Sequence, residues 1–344
     1  MNQDKGEVGC TAATVPLTLQ EALDNIRACK DPSSAVPSSF LIQRSKVWNN
    51  VIQELKNMEI KTYRMSVQFI GECAADTGGP TRELFSLIYK DAMGSKLTRG
   101  SVPNLTFSHD QSALVACEYK MFGQLVALAF LNNASLPHCF SRSAANYILG
   151  MDCDAPQASL IEELPVDHTA IKNKLNSLLS CETPSDWSKA LNEFEERFDM
   201  GINKARYTIQ EKEFLIKMAN KHIMISSVVQ EIQSFQDGLA LFGVFDTLKS
   251  FPEEALSFFT YRNLTSEDVR KSFSPRFSLK GSSKQPLEET IIFNFNQFLK
   301  QCERGQVRRT YIDISLIECS GKSDIDETKH QVLCLSDVHQ FISG

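Results

Sequence analysis

Apolar residues recur at helical spacing along most of this chain, broken by short polar, proline-bearing stretches. Thr18-Leu-Gln-Glu21 has the pattern of a capping box, in which the threonine hydroxyl and glutamate carboxylate serve the first free amides of a helix. A short helix is predicted over residues 19–29, and the first fifteen residues read as a frayed terminus. Residues 31–39 hold two prolines and four serines and end that helix as a linker. From Phe40 onward a second helical pattern is read through Ile42, Val47, Val51, Ile52 and Leu55. Residues 66–71 alternate, with Val67 and Phe69 on one side, and predict a strand.

The strongest helix signal covers residues 112–133. Leu114, Cys117, Met121, Leu125, Leu128 and Ala129 form its apolar face, and its second half is apolar nearly all round, which predicts burial at the centre of a lobe. Helices are also predicted over residues 167–179 and 185–198. Thr208-Ile-Gln-Glu211 is a second capping box, opening a helix that carries Phe214, Leu215 and Met218. Residues 228–245 continue helical, with an interruption read at Asp237-Gly238, and Thr265-Ser-Glu-Asp268 is a weaker box. Residues 278–286 are small, polar and proline-ended and predict a flexible hinge. Leu287, Ile291, Phe295, Phe298, Leu299 and Cys302 mark an amphipathic helix beyond it. Residues 311–318 alternate as a strand, and a helix is expected to begin after Ser336-Asp337. The fold class this implies is α+β and helix-rich, with one large lobe and a small second one.

Composition narrows the function classes. The 344 residues carry 36 Lys+Arg against 42 Asp+Glu, a formal charge of −6, with no basic stripe. Nucleic acid is therefore not expected as a partner. The longest apolar runs, near residues 125–131 and 239–245, are far too short to span a bilayer, so no membrane role is expected either. The ten cysteines include no C-x-x-C pair, which excludes zinc-ribbon and thioredoxin-like readings on spacing. No apolar segment follows Met1 as in a signal peptide, so reduced thiols in a cytosolic or nuclear protein are expected. The six histidines (109, 138, 168, 222, 330, 339) form no H-E-x-x-H or other ligand pairing, so neither metal nor cofactor is expected.

Three features could carry chemistry. The first is Asp76-Thr-Gly-Gly-Pro-Thr-Arg-Glu83, between a strand and a helix, with Pro80 suited to the first helical position. A phosphate loop would need a lysine after the glycines, and an aspartic protease would need a second carboxylate facing Asp76. A helix N-terminus can also hold an anion. The plainer reading, which outweighs these, is a tight turn with glycine at positive φ and Asp76 accepting nearby amides. The second feature is the cysteines: Cys117, Cys139, Cys302 and Cys334 all read as small core residues rather than activated thiols. The third is Phe194, Phe198, Tyr207, Phe214 and Met218, clustered in a charged helical stretch. They suit either the core of a helical subdomain or anchors for a partner loop.

Residues 67–85, Val67-Gln-Phe-Ile-Gly-Glu-Cys-Ala-Ala-Asp-Thr-Gly-Gly-Pro-Thr-Arg-Glu-Leu-Phe85, strongly resemble the opening signature of the HECT-type ubiquitin-protein ligases. Asp76, Gly78, Gly79, Pro80, Arg82 and Glu83 stand at its signature positions, and Leu84 replaces a more usual aromatic. Residues 119–133 resemble the family's next helix, and Phe235-Gln-Asp-Gly-Leu-Ala-Leu-Phe-Gly-Val-Phe245 a later one. Within the family, the chain resembles the G2/M-phase-specific ubiquitin ligase-like group. The resemblance runs from about Phe40 to Gly344.

That resemblance implies a bilobal fold. Residues 40–279 would be a large N-lobe that docks a ubiquitin-conjugating enzyme, after an N-terminal segment of residues 1–39. Residues 280–286 would be the hinge, and residues 287–344 part of a C-lobe. By similarity of residues 212–218 to the helix lining the family's docking groove, Phe214 and Met218 would be groove residues, with Leu175 and Leu178 as further candidates. Phe341-Ile-Ser-Gly344 resembles a motif early in the family's C-lobe. The family's acceptor cysteine lies further on, in a Thr-Cys motif, and no Thr-Cys dipeptide occurs here. Family chemistry passes ubiquitin from one thioester to another and then to a lysine amine. The expectation is thus a ubiquitin-protein transferase relative, truncated before its catalytic cysteine, with no catalytic residue of its own. Its partners would be a conjugating enzyme and ubiquitin, with the protein substrate unspecified. The alternative is a non-catalytic module that sequesters or scaffolds the conjugating enzyme.

Overall fold

A computed structural model describes residues 18–30, 36–72, 76, 78–151, 157–165, 169–195, 207–262, 264–311, 329–335 and 338. Helices dominate, with short strands in pairs, so the fold is helix-rich α+β as expected. Packing divides the chain after Tyr261 into two compact units.

The core of the first unit is the helix Glu118–Leu131, in which every residue from Leu125 to Leu131 is buried. It crosses the helix Val229–Leu239 at two glycines. A Cβ on Gly123 would lie 2.0 Å from the Phe235 carbonyl oxygen, and one on Gly238 would lie 1.9 Å from that of Lys120. Only residues without a side chain let the two backbones approach so closely. Around the crossing, Phe107, Phe122, Phe140 and Phe235 pack with ring centroids 5.1–5.3 Å apart, within the range of favourable aromatic pairs.

Three local expectations change. Phe40 and Ile42 belong to a strand, Ser38–Ile42, and the helix begins only at Val47. Their spacing of two buries both on one face, and the strand runs parallel to Met65–Phe69 with Phe40 opposite Val67 and Ile42 opposite Phe69. The helix predicted over residues 112–133 is two helices, Gln111–Val115 and Glu118–Leu131. The chain turns between them at Cys117, whose φ of 58° is left-handed. That turn directs Cys117 outward, so it is exposed rather than in the core, and Cys334 is exposed as well. Cys139 and Cys302 are buried as expected. Finally, Gly238 lies inside its helix, because the crossing needs it there. The break comes later, at Phe242 and Gly243, with φ of 57° and 84°.

The second unit begins with the Thr265–Asp268 capping box. Thr265 Oγ1 accepts from the Asp268 amide at 3.1 Å, and the Thr265 amide donates to Asp268 Oδ2 at 3.0 Å. Its helix Gln285–Glu303 buries Leu299 and Cys302 with Val269, Leu335 and Val338. Leu287 and Ile291, at the start of that helix, are exposed. Residues 280–284 form the turn into it, with Gly281 at a φ of 91°, and Gln285 and Pro286 already belong to the helix, so the division by packing falls earlier than the hinge expected from composition. The strand Arg308–Tyr311 pairs antiparallel with Lys329–Val332. The remainder of the predicted 311–318 strand, the helix start at Ser336-Asp337 and Phe341–Gly344 lie outside the described residues, as do the 1–17 terminus and the 31–35 linker.

Candidate functional site

The signature loop is a structural joint. Asp76 Oδ2 accepts from the Val67 amide at 2.8 Å and from Thr81 Oγ1 at 2.5 Å, while Oδ1 accepts from the Gly78 amide at 2.8 Å. One carboxylate thereby ties the strand Met65–Phe69 to the start of the helix Gly79–Met93. Burial alone would raise its pKa, but the bonds from Thr81, Val67 and Gly78 outweigh that and hold it below the usual aspartate value. Gly78 takes a φ of 104°, Gly79 begins the helix, and Pro80 sits in its first turn, where a missing amide proton does no harm.

Of the other signature residues, Arg82 is exposed and Glu83 belongs to a network that the sequence did not announce. Arg44 Nε donates to Glu72 Oε1 at 2.5 Å, and its Nη1 to Glu83 Oε1 at 2.6 Å, while the guanidinium lies 4.1 Å from the Phe69 ring centroid. Arg44 thus binds both glutamates of the signature. These partners are 28 and 39 residues away in sequence, and no local pattern links them.

The helical subdomain holds the expected partner-binding residues. Its helices are Thr169–Leu179, Pro184–Glu195 and Lys212–Met224. Lys212 Nζ donates to the Leu179 and Cys181 carbonyls at 3.1 and 3.2 Å, closing the end of the first helix. Thr208 and Glu211 form the predicted capping box, with the Thr208 amide donating to Glu211 Oε2 at 2.9 Å. Leu175, Leu178 and Phe194 are fully buried, packed with Trp187, Leu191 and Leu215. Leu175 and Leu178 therefore belong to the core of the subdomain and expose no side-chain surface.

Phe214 is different. It is 56% exposed, on the outer side of its helix. Met218 follows one turn later and is half-buried, as is Tyr207. The Tyr207 ring lies nearly parallel to Phe214, with centroids 6.2 Å apart at 21°. Its hydroxyl donates to Met218 Sδ at 3.4 Å, and its backbone carbonyl accepts from Trp187 Nε1 at 2.9 Å. Buried Trp187 thus fixes Tyr207, and Tyr207 supports Phe214 and Met218. Phe198 lies outside the described residues.

Among the described residues, no group of three or more His, Cys, Asp or Glu is placed to hold a metal ion, and no helix is long and apolar enough to cross a membrane. Cys139 lies in the core, and burial pushes its thiol up to about 12, which leaves it protonated and inert.

The strand, turn and helix built on Asp76-x-Gly-Gly-Pro belong to a helix-rich α+β architecture that fits a HECT-type fold. The family model for the HECT domain (ubiquitin-transferase) matches residues 74–304, and the chain belongs to this family. Among curated relatives, it is 22% identical over 291 residues to the human "G2/M phase-specific E3 ubiquitin-protein ligase", covering 83% of this chain and 39% of that protein. The macaque (Macaca fascicularis) protein of the same name gives the same figures. The "E3 ubiquitin-protein ligase UPL2" of Arabidopsis thaliana is 23% identical over 259 residues, covering 70% of this chain and 7% of that one. The chain therefore spans well under half the length of these relatives.

Proposed function

We propose that this HECT-family chain docks a ubiquitin-conjugating enzyme through the surface formed by Phe214 and Met218, backed by Tyr207. The observation that supports this is Phe214: a large apolar ring held 56% exposed on a well-packed helix. Exposure of that kind on a fixed support suits a binding anchor. The resemblance of residues 212–218 to the family's groove helix points the same way. Leu175 and Leu178 contribute only by holding the helix behind it.

Phe214→Ala should weaken binding to a conjugating enzyme by about 2 kcal/mol or more, the scale of an interface anchor. Titration calorimetry reads this directly, and an unchanged circular dichroism spectrum shows that the fold is retained. No change in affinity, or no binding by the wild type, refutes the proposal.

The same reading makes the chain a docking partner that does not itself carry ubiquitin as a thioester. No Thr-Cys dipeptide is present, and exposed Cys334 lies in a Leu-Cys-Leu context. Incubation with ubiquitin-charged conjugating enzyme should leave no reductant-sensitive adduct. An adduct that disappears on Cys334→Ser overturns this part. A cytosolic or nuclear setting is part of the proposal, and it is supported by Cys29, Cys117, Cys139 and Cys181, which form no disulfide.

A further inference from the structure

We propose that Met218 is a site of selective oxidation by peroxides, assisted by the Tyr207 hydroxyl, and that its sulfoxide turns the Phe214 surface from apolar to polar. The regulatory consequence rests on the docking reading above; the modification itself does not.

A thioether is a weak acceptor. Tyr207 supplies a hydroxyl donor, 3.4 Å from Met218 Sδ. Its position does not depend on Met218. The Trp187 indole bonds its backbone, and its ring rests on Phe214. Met218 is also half-buried and so reachable, whereas Met121 is 6% exposed and Met224 fully buried.

Oxidation proceeds by attack of a sulfur lone pair on one peroxide oxygen. An S–O bond forms and the O–O bond breaks. The departing oxygen leaves as water with the peroxide's two protons, so sulfur loses two electrons and the peroxide gains them. Positive charge builds on sulfur and negative charge on the departing oxygen, and the Tyr207 hydroxyl, turned from the sulfur to that oxygen, stabilises it as a hydrogen-bond donor. In the product, the sulfoxide oxygen is a much stronger acceptor than sulfur and keeps the Tyr207 hydroxyl as its donor. The platform beside Phe214 then carries an oxide dipole where it had a soft apolar atom. Methionine sulfoxide is reversible through reductases that act on it, so the change can be undone.

The test uses the full chain and dilute hydrogen peroxide. Thiol treatment afterwards removes reversible cysteine oxidation but leaves sulfoxide in place, and peptide mass mapping follows each methionine with time. Met218 should oxidise faster than the other half-buried methionines, Met58, Met65, Met93 and Met151. Tyr207→Phe, which keeps the ring stack and removes the hydroxyl, should slow Met218 by about threefold or more without changing those four. Equal rates at the five methionines, or a Tyr207→Phe chain that oxidises Met218 as fast as the wild type, overturns the site. Neither measurement needs a partner, so a wild type that binds no conjugating enzyme refutes the docking reading and leaves the mapping to decide the modification. Where docking is measured, oxidised wild type should bind about tenfold more weakly, or about 1.4 kcal/mol. Met218→Leu should lose its peroxide sensitivity whatever its starting affinity. Retained sensitivity in that variant overturns the regulatory claim.

Discussion

Asp76 shows how much of a family signature is local bonding. Its carboxylate accepts from two backbone amides and one hydroxyl, drawn from the strand before it and the helix after it. Asn can supply only one oxygen and offers a donor where acceptors are needed. Asp76→Asn should cost about 2 kcal/mol at neutral pH, the scale of hydrogen bonds to a charged group. The pH dependence has a definite sign. The folded value lies below that of an unfolded aspartate, so the stabilisation is complete above about pH 4 and fades as pH falls through the folded value. Thermal melts of wild type and variant should therefore differ at pH 7 and converge in acid. A gap that widens on acidification rules out this role. Arg44 complements Asp76 by gathering Glu72 and Glu83 on one guanidinium. Both pairs are substantially exposed and add little stability.

At the scale of elements, the crossing of Glu118–Leu131 with Val229–Leu239 organises the first unit. Gly→Ala inside a helix ordinarily stabilises it by roughly 1 kcal/mol. Here the sign should reverse. A methyl on Gly238 meets the Lys120 carbonyl at 1.9 Å, and backbone on both sides cannot yield without opening the aromatic cluster around Phe122 and Phe235. Gly238→Ala should destabilise by about 2–3 kcal/mol, as overpacked cores do. Urea unfolding measures this, and a variant as stable as wild type would show that the helices separate more easily than their packing implies. The exposed Phe214 depends on a different kind of support. The Thr208–Glu211 box starts its helix, and Lys212 ties that helix to the end of the one before.

For the whole molecule, the division after Tyr261 separates two unequal cores. Phe107, Phe122, Phe140 and Phe235 belong entirely to the first unit, as do Asp76 and the Phe214 surface. A chain ending at Tyr261 should unfold in one cooperative urea transition and keep whatever affinity for a conjugating enzyme the full chain has. Loss of the cooperative transition would show that residues 262–344 are needed to complete that core. The second unit has only five core residues among those described, so the first should set the overall resistance to denaturant.

The amino-acid sequence alone determined whatever depends on neighbours in the chain. The capping boxes at Thr208 and Thr265, the turn at Gly78 with Pro80 behind it, the buried run after Leu125 and the family signature are all written within a few residues of one another. Period and capping are short-range physics, and they remain legible without coordinates. Tertiary structure decided the rest. Cys117 looked like a core residue on a continuous apolar face, but a left-handed turn at its own position put it in solvent. Gly238 looked like a break, yet a neighbouring helix holds it inside one. Leu175 and Phe214 carried similar apolar signals, and only packing separated the buried leucine from the exposed phenylalanine. Arg44 found its glutamates across the fold. In each case the deciding partner is distant in sequence, and hydrophobicity along a chain records that a side chain prefers burial without recording what is there to bury it.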